Sequence, residues 1–235
     1  MRGNAGEGGI RCGRPKVVLN RMQWGSGIMG WQTSPLSTEQ IEDRVARLPE
    51  TLRPVRDAVL AVASSGAWIE GGTGGPVLAG SRPDVGSEVY DIVIFPPLSA
   101  EHLETYQRLH DFTLPEAVLR FLRHVNGAVL FEIKLYGVPP SMAVDPPQLD
   151  RSRRAPLDIA SGRYWRHAYA GADPADVLIG SRNVGGAGQI GYFTDPQGRI
   201  SGRGNGSTEA PMACGPWANL TEWLAAEMAE IRFAG

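Results

Sequence analysis

The sequence predicts an α+β domain in which a mostly antiparallel sheet is flanked by helices. Three observations lead there. Apolar residues recur at helical spacing behind side-chain caps, as at Ser37 with Gln40 and at Asn219 with Glu222. Val89 to Phe95 is a β-branched and aromatic run closed by Pro96-Pro97. Two further apolar runs flank Asp195-Pro196-Gln197-Gly198, which has the composition of a turn in a hairpin.

A chain of 235 residues suits one large domain, or one domain with extensions. Its 30 glycines and 18 prolines predict long irregular connections between the elements. A net charge of −2 supplies no global field that would gather phosphate backbones, so no nucleic-acid partner is expected. Cys12 and Cys214, one near each end, form no disulfide framework and fit a reducing cytoplasm. No window is long and apolar enough for a signal peptide or a bilayer span. A soluble, cytoplasmic protein without a membrane partner is expected.

Residues 1–35 are Gly-rich and basic without hydrophobic period, and they are expected to be a disordered arm. Ser37 and Gln40 open a helix carrying Ile41, Val45 and Leu48 inward. Pro49 and Pro54 interrupt the stripe before Val55, Val59 and Val62 resume it, giving two helices or one broken helix. Gly71 to Gly86 reads as loop and Val89 to Phe95 as strand. Ser99 caps a helix with Leu103, Tyr106 and Leu109 inside. Pro115 fits the first position of another helix, with Val118, Leu119, Leu122 and Val125 inside and Asn126-Gly127 closing it.

Val129 to Leu135 is predicted as one strand, in which alternation puts Glu132 and Lys134 on one face. Tyr164 to Tyr169 is predicted as a short helix. Val177 to Ile179, Gln189 to Thr194 and Arg199 to Gly202 follow as strands. The last helix turns Leu220, Trp223, Leu224, Met228 and Ile231 inward.

The motifs that could carry chemistry sit in the wrong places. Gly186, Gly188 and Gly191 have dinucleotide spacing, but a strand follows them where the pyrophosphate needs a helix N-terminus. Gly75 to Gly80 has the glycine spacing of a phosphate loop, yet Ser81-Arg82 lacks its lysine. His102, His110, His124 and His167 make no ligand pair at zinc spacing. Ser64-Ser65-Gly66 follows a helix instead of preceding one, and Cys214 is read in a loop with no helix N-terminus to activate it. Glu39, Glu101, Glu116 and Glu222 are explained by helix dipoles. No catalytic residue, cofactor or metal is predicted.

The order of these landmarks resembles the SUKH superfamily of cell-wall-assembly-regulator-like and bacterial toxin-immunity proteins. The resemblance spans about residues 90–232 and rests on joint spacing: Leu114-Pro115 opening a helix, Asn126-Gly127 after it, a strand ending in Leu135-Tyr136-Gly137, and Trp223 in the last helix. These are scaffold residues. What the resemblance implies is a SUKH-like domain at 90–232, with 36–95 as an N-terminal helical extension and strand. It further implies a non-enzymatic domain whose protein partner is a toxin domain, the chain being its immunity protein. The alternatives are a regulatory scaffold in cell-wall or stress signalling, and a hydrolase or nucleotide-binding enzyme using the Gly-rich loops. Glu132, Tyr136, Tyr164 and Trp165 are the expected partner-binding residues, since aromatic anchors are enriched at interfaces. The long loop Pro139 to Arg163, carrying Arg151, Arg153 and Arg154, reads as a solvated linker, with an Arg-bearing recognition loop as the alternative.

Overall fold

The caps that the sequence announces set the helices in register. In the computed structural model, which describes residues 33–63, 66–70, 75–84, 90–139, 155–169, 171–184, 188–206 and 213–233, Ser37 and Gln40 form a reciprocal capping box at the start of helix α1 (Thr38–Ala46). A 3-10 turn at Glu50–Leu52 follows, and Pro54 sits in the first turn of α2 (Arg53–Val62), so the prolines divide two helices. Ser99 caps α3 (Ala100–His110) by accepting from the His102 N–H. Pro115 is the cap residue of α4 (Glu116–Leu122), one place before the predicted position. At the far end, Asn219 accepts from the Glu222 N–H and Glu222 from the Ala218 N–H, opening α6 (Leu220–Phe233). Short α5 (Gly162–Trp165) runs into a 3-10 turn at Arg166–Ala168.

The strands form one sheet in sequence order, every neighbouring pair antiparallel. They are β1 (Thr33–Pro35), β2 (Ala67–Glu70), β3 (Val77–Ser81), β4 (Tyr90–Ile94), β5 (Ala128–Leu130), β6 (Ile133–Leu135), β7 (Val177–Asn183), β8 (Gln189–Thr194), β9 (Ile200–Gly204) and β10 (Ala213–Trp217). The helices flank this sheet, so the chain is α+β with an antiparallel sheet. Segment 36–95 contributes β2, β3 and β4 to the same sheet that residues 128–217 complete.

Several expectations change. Thr33–Pro35 pairs with β2 where the arm was expected to continue. Gly71 to Gly86 contains β3, and Gly75 to Gly80 is therefore largely strand. Cys214 lies in β10, an edge strand whose Gly215-Pro216 hides it from pattern reading. Val129 to Leu135 is a tight hairpin, β5 and β6 being reversed at Phe131-Glu132, with Phe131 in the left-handed region at φ 56°. Glu132 is thus an exposed turn residue, and its predicted face-sharing with Lys134 is lost. Leu109 is 57% exposed, because α3 ends at His110 and the stripe has no wall to meet there. Cys12, Ser64, Ser65, Gly186 and the arginines 151, 153 and 154 lie outside the described residues.

Residues paired across neighbouring strands share a face. One row reads Ile92, Leu130, Ile133, Arg182 and Ile190, and the next on that face includes Leu135, Gly180 and Tyr192. On this face Trp223 of α6 packs against Tyr192, ring centroids 4.6 Å apart, and over Gly180. The opposite row reads Trp68, Leu78, Val93, Val129, Lys134, Ser181, Gly191 and Arg203. Its apolar half forms a second cluster of Leu78, Val93 and Phe95. Its polar half is overlain by the segment around α5, where Gly162 abuts Leu178 and the Tyr169 ring lies over Gly191.

A single amide locks the middle of the chain. The buried Asn126 side chain donates to the Val138 carbonyl at 2.8 Å and accepts from the Val138 N–H at 2.7 Å, mimicking a strand neighbour. Gly137 beside it has no room for a β-carbon, which would stand 2.6 Å from the Asn126 carbonyl oxygen. The helix itself ends earlier, at Leu122 with Arg123 as cap. Gly127, at φ 78°, turns the chain into β5 instead of closing the helix. Asn126→Asp keeps the acceptor and turns the donor into a second acceptor facing a carbonyl. It should lower unfolding free energy by about 2–4 kcal/mol at neutral pH, read from urea melts, with Asn126→Ala close behind. A loss under half of that would show that the clamp does not organise the region.

Candidate functional site

Four connected features surround α5. The first is a buried anchor: the Tyr106 hydroxyl of α3 donates to Asp158, and both accept from the Ala160 N–H, at 2.9 and 3.0 Å. Burial and the neighbouring Asp158 carboxylate push the Tyr106 hydroxyl well above its ordinary pKa, so it stays protonated as the donor. The anchor fixes the turn Ile159–Ser161, from which α5 starts.

The second feature is the pair Tyr164 and Trp165, 57% and 45% exposed, on α5. The preceding Arg163 lays its guanidinium over the Phe112 ring, 5.5 Å from the centroid, which braces α5 against the chain leaving α3. The two aromatics stand in water on a braced element. Tyr136, by contrast, is buried, donates to Ser181 at 3.2 Å, and titrates above its ordinary value because it is desolvated.

Third, Arg166 follows Trp165 and clamps the next loop, its guanidinium donating to the Pro174 carbonyl and, at 2.5 Å, to the Asp176 carbonyl. Both bonds are to backbone, so Arg166 fixes the loop's path and reaches the Asp176 carboxylate only through space.

The fourth feature is an open cleft of about 520 Å³ between this loop, the β8–β9 turn and the outer strands. Asp173, Asp176, Asp195, Arg199, Arg203 and Pro216 are among the residues that line it. Asp195 is committed to its own turn: it accepts from the N–H groups of Gln197 and Arg199, each at 2.9 Å, and from the Arg199 guanidinium at 2.6 Å. Burial opposes its ionisation, but these donors outweigh it and hold its pKa below the ordinary value. Asp173 accepts from the Ala175 N–H at 2.8 Å. The half-buried Asp176 carboxylate accepts no hydrogen bond from the described residues. Burial, then Asp173 and Asp195, push its pKa up.

Other polar groups serve the core. Arg182 bridges Glu227 at 2.9 Å and Glu230 at 2.8 Å beneath α6, and burial pushes the Glu227 carboxyl upward. The sequence reading missed Glu227; the signal was its place three residues after Leu224, on the α6 stripe. Cys214 is pushed up to about 11, chiefly by burial, so its thiol is protonated at neutral pH. His102, His124 and His167 are exposed and separate, and His110 stacks on Tyr106 at 4.5 Å. Among the described residues no group of His, Cys, Asp and Glu could hold a metal ion, and no helix is long and apolar enough to cross a membrane. The cavity lined by Val118, Phe121, Leu135 and Ile179 measures about 20 Å³, room for one water and no larger ligand. The sequence singles out Tyr164 and Trp165, which the structure leaves at the surface, but not the cleft, which joins segments far apart in the chain.

Comparison with protein-family models, curated proteins and solved structures gives no match.

Asp195 supports a pH prediction. Its folded pKa is depressed, so its contribution is complete above the unfolded value, about 3.9, and is lost as pH falls through the folded value. Asp195→Ala should therefore cost about 1–2 kcal/mol at pH 7. Chemical denaturation at a series of pH values should show that gap to wild type closing in acid; a gap constant down to the lowest pH would refute the assignment.

Proposed function

We propose that this chain is a non-enzymatic, SUKH-like protein-binding domain, and specifically an immunity protein that neutralises a cognate bacterial toxin domain. The observation that carries the binding reading is the adjacent exposed pair Tyr164 and Trp165 on an element braced from three sides. Large aromatics cost little conformational entropy when they anchor an interface, and a rigid support reduces that cost further. Apolar side chains of this size held in water raise the free energy of the unbound protein, which a partner relieves.

The SUKH resemblance supports a toxin as the partner, with a regulatory partner as the alternative. Its landmark residues have local physical tasks: Leu114 is buried with its N–H donating to Gln107 at 2.8 Å, Asn126 clamps Val138, and Trp223 fills the space over Gly180. These tasks suit a scaffold whose surface selects the partner.

Co-expression with a toxin encoded beside the gene tests the reading directly. The wild-type chain should restore growth and co-purify with the toxin. Tyr164→Ala with Trp165→Ala should weaken the complex by at least about 2 kcal/mol, roughly thirtyfold in Kd, with the melting temperature within a few degrees of wild type. Absence of rescue and of any complex would sink the immunity assignment; a complex formed in cells lacking a linked toxin would favour a regulatory scaffold. Full affinity in the aromatic variant would move the interface elsewhere.

A further inference from the structure

Resting on the protein-binding reading, we propose that the exposed surface of α5 receives an acidic segment of the partner protein, Arg163 taking an aspartate or glutamate carboxylate while Tyr164 and Trp165 seat an apolar side chain beside it. Arg163 has the form of a carboxylate receptor. Its guanidinium lies over the Phe112 ring, 5.5 Å from the centroid, and a ring holds a cation in place without consuming its hydrogen-bond donors. The residue is exposed, and among the described residues it makes no hydrogen bond and no ion pair. A planar fork already held against a ring loses little freedom when a carboxylate closes on it through two parallel bonds.

The charges around α5 favour an anion there. From Gly162 to Ala172 the sequence contains Arg163, Arg166 and His167 and no acid. Arg166 gives its donors to the carbonyls of Pro174 and Asp176, which leaves its positive charge in place, met by Asp176 only through space. Arg163 lies close enough to Tyr106 to bear on its hydroxyl, but Asp158 behind that hydroxyl is buried and already accepts from Tyr106 and from the Ala160 N–H. Asp111, beside Phe112 in the chain, is exposed and forms no ion pair with the described residues. Tyr164 and Trp165 therefore present their exposed rings between two arginines, on one turn of helix. A basic segment would gain the rings and be repelled by the arginines. An acidic one gains both, and its carboxylate belongs at the Arg163 end, because the loop held by Arg166 carries Asp173 and Asp176. With a net charge of −2 the chain has no wider field to draw a nucleic acid to the same place.

The full-length chain, isotope-labelled for NMR, would be titrated with a short capped peptide repeating Glu-Leu-Gly. Gln-Leu-Gly and Lys-Leu-Gly peptides of the same length separate charge from apolar contact, and an oligouridylate tests a nucleic acid in its place. The amides of Phe112 and of residues 162–168 should shift saturably, with the acidic peptide bound tightest. Arg163→Gln should weaken that peptide about fivefold and bring it level with the glutamine peptide, whereas Trp165→Ala should weaken both. A melting temperature within a few degrees of wild type shows that each variant is folded. If Arg163→Gln melts early, Arg163→Met, which keeps an apolar contact with Phe112 and removes the charge, should show the same loss. Equal affinity for the three peptides, shifts elsewhere, full affinity without the Arg163 charge, or tighter binding of the oligouridylate would overturn the proposal. If a natural partner depends on Trp165 and not on Arg163, the acidic segment is ruled out and the protein-binding reading stands. If that complex ignores both residues, the α5 interface falls together with the proposal.

Discussion

The Asn126 side chain is the constraint from which the surface around α5 descends. By bonding both backbone groups of Val138, it fixes the exit of β6 against the entrance of β5. Gly137, pressed between them, exchanges backbone bonds with the chain that returns: its N–H donates to Leu157 and its carbonyl accepts from Ile159, each at 2.8 Å. Those bonds position Asp158 for Tyr106, the Asp158 turn starts α5, and Arg166 carries the order on to the cleft loop. Buried amides that satisfy every donor and acceptor specify one arrangement strongly, because any slip leaves polar groups desolvated and unpaired.

That dependency explains why helix and turn chemistry was legible in the sequence while the strand count was not. Capping boxes and the Asp195 turn are local: a side chain meets a backbone group a few residues away, so spacing alone reveals them. The β5–β6 reversal is local too, yet invisible, because Phe131-Glu132 carries none of the glycine or asparagine that usually supplies a left-handed turn residue. The alternating run around it imitates one strand. β2, β3 and β10 were hidden for a different reason. β2 is only four residues long, β3 and β10 carry glycine or proline, and pairing with neighbours makes them strands.

The site shows the same division. Tyr164, Trp165 and Tyr136 are chemically alike in sequence, and only tertiary placement separates them: α5 is too short to bury its outer residues, whereas Tyr136 follows a central strand and meets Ser181 across the sheet. Glu132, expected on a sheet face, is exposed at a turn tip instead. Asp176 carries no sequence signal. It becomes distinctive only because the nearby carboxylates are already engaged, and that is a fact about three-dimensional pairing.

The two buried polar clusters mark a further contrast between structure and surface chemistry. Arg182 is paired with Glu227 and Glu230, and Tyr106 with Asp158, against helices that they help to orient, although Arg182 Nε has no hydrogen-bond partner among the described residues. The Asp176 carboxylate is the reverse case: half-buried and open to a cleft, it accepts no hydrogen bond from the described residues and feels Arg166 and Arg203 only through space. Charges of the first kind cost little to leave alone, because their partners are built in. Tyr164 and Trp165 are the one pair of aromatics, among the described residues, that stands adjacent and exposed, and Arg166 after them holds the backbone of the loop that carries Asp176.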